Sequence, residues 1–409
     1  MIQLKPYISI SYSCSCGGDM YFSGYLWQGL HVCEILVCNR CKKKRINSLP
    51  VNQSILEPYT FYPDSGVVND AQGNIVPDNW YSKKLRSIVS PVQDDVEIEI
   101  DIIRKYDEVL ILNTLDYIYG HSFLFLLNLQ QIVKSGTSLG IVVIVQPMLK
   151  WLIPREDVAE IWTVNLEFKS LNNYYPDLST KINSELARFK KVELSKGHVI
   201  PTNENININK FTGIKPYDFL NEPAHPRITF IWREDTDRLW IRNIYLSKGF
   251  KKIGFGLLLI PFQYLRIIFL FKLLKNKLGM KYNYSVAGLG KFGRFPSFIK
   301  DGRAKYFTEE AEKMLCKVYA ESALVIGVHG SGMLLPSAHA GMAISLMPSK
   351  RWANYAEDIL FTENDVRLAS FQRRIVPLNM CIFDLIDIIS DMISGRDYFL
   401  KKFIHSDEL

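Results

Sequence analysis

Val325-Ile326-Gly327-Val328-His329-Gly330-Ser331-Gly332-Met333-Leu334-Leu335 decides how the rest of this 409-residue chain is read. Val325 to Val328 has the make-up of a buried strand. His329 to Gly332 is a glycine-rich turn, and Met333-Leu334-Leu335 opens an apolar helix. A strand that runs through such a turn into a helix exposes backbone N–H groups and a helix N-terminus, which together favour phosphate. His329 stands where its ring could donate to a phosphate oxygen.

The same texture extends on both sides. Upstream, Ile228-Thr229-Phe230-Ile231-Trp232 is a strand that ends in Arg233-Glu234-Asp235 and Arg238. Two arginines at a strand end suit a diphosphate, because guanidinium matches phosphate oxygens bidentately. An exposed turn with local Glu–Arg pairs fits the same residues. Asn283–Ala287 and Met342–Met347 are further strands, Thr308–Glu321 is a helix, and 377–403 closes the block with a helix. A similar block precedes it. Strands are predicted at Glu108–Asn113, Gly140–Val145, Glu160–Val164 and Val192–Leu194, with helices over Phe123–Val133 and Ser179–Phe189. Apolar strand, amphipathic helix, apolar strand is the pattern of parallel α/β units. The expected fold class is therefore α/β, with two Rossmann-like domains facing a cleft. The first covers 96–215 and the second 226–405, and proline-rich sequence over 198–226 links them.

In open sheets of this kind, ligands sit beyond the carboxyl ends of strands. Asp116 and His121 follow the strand that ends at Asn113. An aspartate and a histidine there suit proton transfer. In the competing assignment Ser122 caps the helix and His121 packs.

Residues 1–50 read as a small cysteine-rich module, and 51–95 as a connecting loop rich in Pro, Asn, Asp and Tyr. Five of the seven cysteines fall in the first 41 residues. Cys14 and Cys16 form one close pair, and Cys38 and Cys41 the other, with Gly17-Gly18 permitting a sharp turn after the first. Two such pairs complete a tetrahedral shell, so a zinc-ribbon-like module with structural zinc on Cys14, Cys16, Cys38 and Cys41 is expected. His31 and Cys33 are spare candidate ligands. Lys42-Lys43-Lys44-Arg45 follows as a solvated basic face.

Hydrophobic residues at 48% and charged residues at 22% exclude a disordered or fibrous chain. Net charge is +7, mild for this length, which argues against nucleic acid as a partner. The first residues lack the apolar core of a secretion signal, so a cytoplasmic setting is expected. The retention-like tail His405-Ser406-Asp407-Glu408-Leu409 is then coincidence. From Arg238 to Lys300 there are 13 Lys or Arg and no acidic residue. Within it the apolar run Ile253–Phe271 is long enough to cross a membrane, but Pro261, Gln263 and Arg266 interrupt it. A buried or interfacial helix fits better. Peripheral membrane contact through 251–281 is one option, and a core helix with a solvated basic flank is the other.

Taken together, the second block resembles glycosyltransferase family 61 and its GT-B relatives. That family has an arginine-bearing strand end, a helix leading to a strand, a Gly-x-His-Gly-Ala-Gly-Leu turn and a strand ending near proline. This chain has Ile231-Trp232-Arg233 with Arg238, the helix to Glu321, Gly327-Val328-His329-Gly330-Ser331-Gly332-Met333, and Ile344-Ser345-Leu346-Met347-Pro348. Tyr119-Gly120-His121-Ser122-Phe123 is similar to the Tyr/Phe-His-Phe segment that opens a helix in the family's first domain. The resemblance covers about residues 105–395. It implies a GT-B fold and transfer of sugar, without a catalytic metal, from a nucleotide-sugar donor to a hydroxyl of a glycan or other acceptor. On this chain Arg233, Arg238, His329, Gly330, Ser331 and Gly332 would meet the donor diphosphate, and Asp116 or His121 would be the base. Two positions depart from the family: Phe125 or Leu126 stands where an acidic residue is frequent, and Ser345 where an acid could hold the ribose. A non-catalytic binding protein of the same fold, using the ribbon for partner contact, is the alternative.

Overall fold

The structure is a computed structural model that describes residues 4–5, 12–197, 205–241, 249–250, 252, 254–356, 359–360 and 365–403. The tail at 405–409, positions 1–3 and 6 of the amino-terminal stretch, and positions 198–204 of the proline-rich linker lie outside the described residues. The chain divides into two units, Met1–Asn203 and Glu204–Leu409.

In the first unit β1 (Leu4–Lys5) precedes a meander made of β2 (Tyr12–Ser13), β3 (Asp19–Gln28), β4 (His31–Cys38), β5 (Lys44–Ser48), β6 (Thr60–Tyr62) and β7 (Val67–Asn69). These six pair antiparallel in chain order. A short helix, Ser82–Arg86, follows. The segment 51–95, expected as a loop, therefore carries two strands and a helix. Its turn residues misled: Pro63-Asp64-Ser65-Gly66 is the tip of a hairpin between two β-forming triplets, and Gly66 takes the left-handed φ of 68° that the tip needs.

The second sheet adds β8 (Ile98–Ile102), β9 (Glu108–Asn113), β10 (Gly140–Val145), β11 (Glu160–Val164) and β12 (Lys191–Leu194). Its order is β1-β12-β9-β10-β11-β8, parallel except for β8. The expected bounds of β9, β10 and β11 match those found. The helix Tyr119–Lys134 starts earlier than its apolar spacing suggested, and it is buried on nearly every side. The cysteine-bearing meander shares a core with this sheet: Tyr25, Trp27 and Val32 pack with Val109, Ile111, Val142, Ile144 and Trp162. Trp27 Nε1 donates to Asn183 Oδ1 at 3.1 Å, and Asn113 Nδ2 donates to the Gly29 carbonyl at 2.9 Å.

The second unit is one fully parallel sheet of β13 (Arg227–Trp232), β14 (Asn283–Leu289), β15 (Ile299–Ala304), β16 (Ser322–Val328), β17 (Met342–Met347) and β18 (Arg373–Pro377). The spatial order is β15-β14-β13-β16-β17-β18. Numbered within the sheet this is 3-2-1-4-5-6, so the chain reverses direction between β13 and β16. The edge strands β15 and β18 were not legible as strands. Edge positions are half solvated, so Lys300-Asp301-Gly302-Arg303 and Arg373-Arg374 show no apolar run. The helices Ile260–Leu278, Glu309–Ala320 and Ile382–Phe403 accompany the sheet. Ile267, Leu270 and Phe271 pack with Phe230, Ile326, Ile344, Leu385 and Ile389 in its core. Inside the sheet Thr229 Oγ1 lies 2.7 Å from both Ser285 Oγ and Ser322 Oγ. That buried hydroxyl chain ties β14, β13 and β16 in register.

Two buried histidines make the fold acid-sensitive. His31 Nε2 donates to the Tyr81 carbonyl at 3.1 Å, and burial pushes the ring's pKa down to about 3. His339 Nδ1 donates to the Leu335 carbonyl at 2.9 Å, Thr212 Oγ1 lies 3.0 Å from Nε2, and burial pushes this pKa down to about 4. His339 is thus a packed helix residue. An unfolded histidine titrates near 6.5, so below that pH the unfolded chain binds more protons than the folded chain. Stability therefore falls as pH drops through about 6.5, by on the order of 3 kcal/mol per histidine by about pH 4. Melting temperatures taken between about pH 7.5 and 4.5 should show this fall, and His31→Gln should make it shallower.

Candidate functional site

In a doubly wound sheet the crevice for ligands lies beyond the carboxyl ends of the strands, where the strand order reverses. In the second unit that point lies between the loops after β13 and β16. Arg233 and Arg238 follow β13, and His329-Gly330-Ser331-Gly332 follows β16. The fold brings these residues, 91 or more positions apart in sequence, into contact. Arg238 Nη1 donates to the His329 carbonyl. A Cβ built at Gly330 would lie 2.4 Å from Arg238 Nη1, and one at Gly332 would lie 2.3 Å from Arg233 Nη1. Each guanidinium thus rests on a glycine that has no side chain to push it away. Gly330 has φ 139° and ψ −179°, a conformation that other residues avoid. Arg233 Nε is held by Asp235 Oδ1 at 2.7 Å. His329 is 1% exposed, and its backbone N–H donates to the Leu346 carbonyl at 3.0 Å, so its ring lies beneath the turn rather than on its surface.

The apolar helix expected after the turn is short. A 3-10 turn over Ser331–Met333 leads to a helix of six residues, Leu334–His339, with Pro336 inside it. So short a helix adds little dipole, and the positive charge at the site comes from the two arginines. The expected Glu–Arg pairing also differs. Glu234 turns away and accepts the backbone N–H groups of Lys291 and Phe292, each at 2.7 Å, and the Trp232 indole N–H at 3.0 Å. It fixes the loop after β14 beside Arg233. Arg303 clamps the same loop from Phe292 O at 2.6 Å and Gly293 O at 2.9 Å. Lys291 and Arg294 on that loop were missed; the glycine-rich basic string Gly288-Leu289-Gly290-Lys291-Phe292-Gly293-Arg294 was the signal.

Gly332 supplies a sharp test of the contact. Its backbone is not left-handed, and the atom a Cβ would meet is the tip of a flexible side chain. Gly332→Ala should leave the melting temperature within about 2 °C while displacing Arg233 and weakening anion binding roughly tenfold. Titration calorimetry with a nucleoside diphosphate checks both the direction and the size.

In the first unit, Asp116 and His121 stand beyond the carboxyl end of β9, which is again the strand at which the sheet order reverses, with β10 on one side and β12 on the other. Asp116 is 1% exposed, and its Oδ2 lies 2.9 Å from His121 Nδ1. Its Oδ1 accepts the Ile118 N–H at 3.1 Å. A buried carboxylate on Nδ1 fixes the tautomer that carries Nδ1–H and leaves Nε2 to accept a proton. His121 is a quarter exposed. Ser122 does not cap the helix. Its hydroxyl accepts the Asp116 N–H at 3.1 Å and reaches Gln146 Oε1 at 3.1 Å, so it braces the aspartate instead. Trp80 sets its ring edge-on to His121, with centroids 5.5 Å apart. Lys84 is buried, with its ammonium 3.7 Å over the Tyr117 ring. Burial pulls its pKa down to about 8, against the charge of Asp116. Trp80 and Lys84 were missed because their segment read as a connecting loop.

The four predicted cysteines come together. Cys14 Sγ is 3.4 Å from Cys41 Sγ, Cys16 Sγ is 3.5 Å from Cys38 Sγ, and all four sulfur atoms lie within 4.8 Å of one another. A tetrahedral thiolate shell at roughly 2.3 Å from zinc spaces its sulfurs by about 3.8 Å, so this cluster could hold a metal ion. The backbone is shaped for it. The Cys41 and Arg40 N–H groups point at Cys38 Sγ at 3.5 and 3.4 Å, and they hold that thiol down to about 6. A Cβ at Gly18 would lie 2.8 Å from Cys38 Sγ. The spare candidates lie elsewhere: Cys33 is buried in the apolar core of the meander, and His31 stacks on Tyr81.

No protein-family model and no curated protein sequence matches the chain. Among solved structures it is similar to the ADP-heptose LPS heptosyltransferase II of E. coli, at 9% identity, over 71% of this chain and 99% of that one, with a TM-score of 0.40. So distant a likeness transfers no residue role.

Proposed function

We propose that the chain is a glycosyltransferase of the GT-B kind, moving a sugar from a nucleotide-sugar donor to an acceptor hydroxyl. The observation that carries this reading is the seating of Arg233 and Arg238 on the Gly330–Gly332 backbone where the strand order of a Rossmann-like sheet reverses. Two guanidiniums against bare backbone match the oxygens of a diphosphate. In the transfer, the acceptor hydroxyl gives its proton to His121 Nε2, and its oxygen bonds to the sugar's anomeric carbon. The bond from that carbon to the diphosphate breaks, and its electron pair leaves on the phosphate oxygen. Arg233 and Arg238 hold the developing charge, which is electrostatic stabilisation supplied without a catalytic metal. Asp116 is a positioning residue that stabilises the imidazolium. His329 supports the turn from below. Ser345, partly buried on β17, offers the ribose a hydroxyl rather than an acid. The test is release of nucleoside diphosphate from a panel of sugar nucleotides in the presence of mixed glycan acceptors. Release from one donor, lost in His121→Ala, supports the reading; no release from any donor by folded protein shifts the weight to a binding protein of the same fold.

The cysteine cluster is read as a structural zinc site that closes the two turns of the meander. Purified chain should carry about one equivalent of zinc, measured by elemental analysis. Cys38→Ser or chelation should remove it and lower the melting temperature by on the order of 10 °C.

A further inference from the structure

We infer that the helix Ile260–Leu278, with the turn before it, seats the second unit on an anionic membrane surface and lies along that surface rather than through it. Leu258, Phe262, Leu265 and Phe269 recur at spacings of four, three and four, which places them on one stripe. They and the neighbouring Phe255 and Leu257 are between 46% and 64% exposed. Four large apolar side chains on one solvent-facing stripe, with two more exposed beside its start, are far more than scattered surface leucines require. The segment Gly256–Lys281 reaches a mean hydropathy of 1.9, long and apolar enough to cross a membrane by composition.

The opposite face forbids crossing. Ile260, Ile267, Leu270, Phe271 and Leu274 belong to the core of the sheet. Arg266 stacks on the Trp240 ring at 4.0 Å and donates through Nη2 to the Met380 carbonyl at 3.0 Å. A span would strip these residues from their partners, whereas a helix in the interface keeps them and buries only the outer stripe.

Charge selects the occupant. No acidic residue occurs anywhere in 239–300. Lys252 is exposed before the stripe, and Lys272, one turn after Phe269, continues the same face with Lys281 beyond it. An apolar stripe ended by lysines at both ends fits acyl chains below a layer of anionic headgroups. A second copy of the chain would set lysine against lysine. A single helix face also offers no groove for a peptide.

The test is flotation of the full chain with vesicles of phosphatidylcholine and phosphatidylserine, and with phosphatidylcholine alone. Wild type should float with the mixed vesicles and much less with the neutral ones. Phe262→Ser/Leu265→Ser/Phe269→Ser should lower the bound fraction roughly tenfold with an unchanged melting temperature, because all three side chains face solvent. Lys272→Glu/Lys281→Glu should weaken binding and reduce its dependence on salt. Wild type that stays off the mixed vesicles overturns the inference, as does a triple-serine chain that floats as well as wild type. A wild-type dimer in light scattering that the serine substitutions dissociate overturns it too. Nucleotide binding should be the same in all these chains, so failure here leaves the proposed transfer standing.

Discussion

Arg233→Ala and Arg238→Ala should each lower sugar transfer roughly 100- to 1,000-fold, the loss seen when one preorganised donor to a developing negative charge is removed. In the proposed transfer both act on the leaving diphosphate, so the loss should fall on turnover as well as on donor affinity. The two differ in their structural cost. Arg233 is part-exposed and paired with the exposed Asp235, and such a pair contributes at most about 1 kcal/mol, so Arg233→Ala should melt almost as wild type does. Arg238 donates to the His329 carbonyl and so also holds the turn in place. Its loss should cost somewhat more stability, and Arg238→Lys should restore only part of the activity, because an ammonium cannot span two phosphate oxygens in the way a planar guanidinium does. Equal activity of wild type and both alanine variants would sink the donor site.

The second large effect is at His121. His121→Ala should reduce turnover by roughly 100- to 10,000-fold, the usual range for a general base, with little change in donor affinity. Asp116→Asn is the more informative variant. An amide in place of Asp116 Oδ2, which lies 2.9 Å from His121 Nδ1, favours the tautomer with the proton on Nε2, the wrong atom for accepting one. Turnover should then fall by a similar order while the ring stays in place. Asp116→Asn turnover close to wild type would show that His121 needs no orienting partner. The Asp116 carboxylate is buried and accepts the Ile118 N–H, and the Ser122 hydroxyl accepts the Asp116 backbone N–H, so the melting temperature must be recorded beside the rate.

Much of this was legible because strands buried on both faces leave continuous apolar runs. Glu108–Asn113, Gly140–Val145, Glu160–Val164 and Met342–Met347 are such runs, and their bounds in sequence and structure agree. The glycine-rich turn after β16 was legible for a local reason: its glycines, its histidine and its flanking strand are contiguous. The contact between that turn and Arg233 and Arg238 was legible only as a shared type of place, a strand end, since nothing local says which strands are neighbours. The misses have a common cause. β6, β7, β15 and β18 are short or lie at edges, with polar side chains between turn residues, so their pairing partners, not their own composition, make them strands. Trp80 meets His121 and Lys84 meets Tyr117 only through the tertiary fold, which has no sequence period. Glu234 had two local arginines to choose from, yet it satisfies three N–H groups, which is the stronger demand on a carboxylate near a buried strand end.

The proposed transfer requires a diphosphate bound at the turn after β16. The measurement is the melting temperature of the 409-residue chain against UDP, GDP, ADP, CMP and dTDP, repeated on Arg233→Ala and Arg238→Ala. One nucleotide at about 100 times its dissociation constant should add roughly 2.7 kcal/mol of stability to wild type, a shift of several degrees, and little to either variant. No shift with any nucleotide, or the same shift in wild type and both arginine variants, would contradict the donor site and with it the proposed transfer.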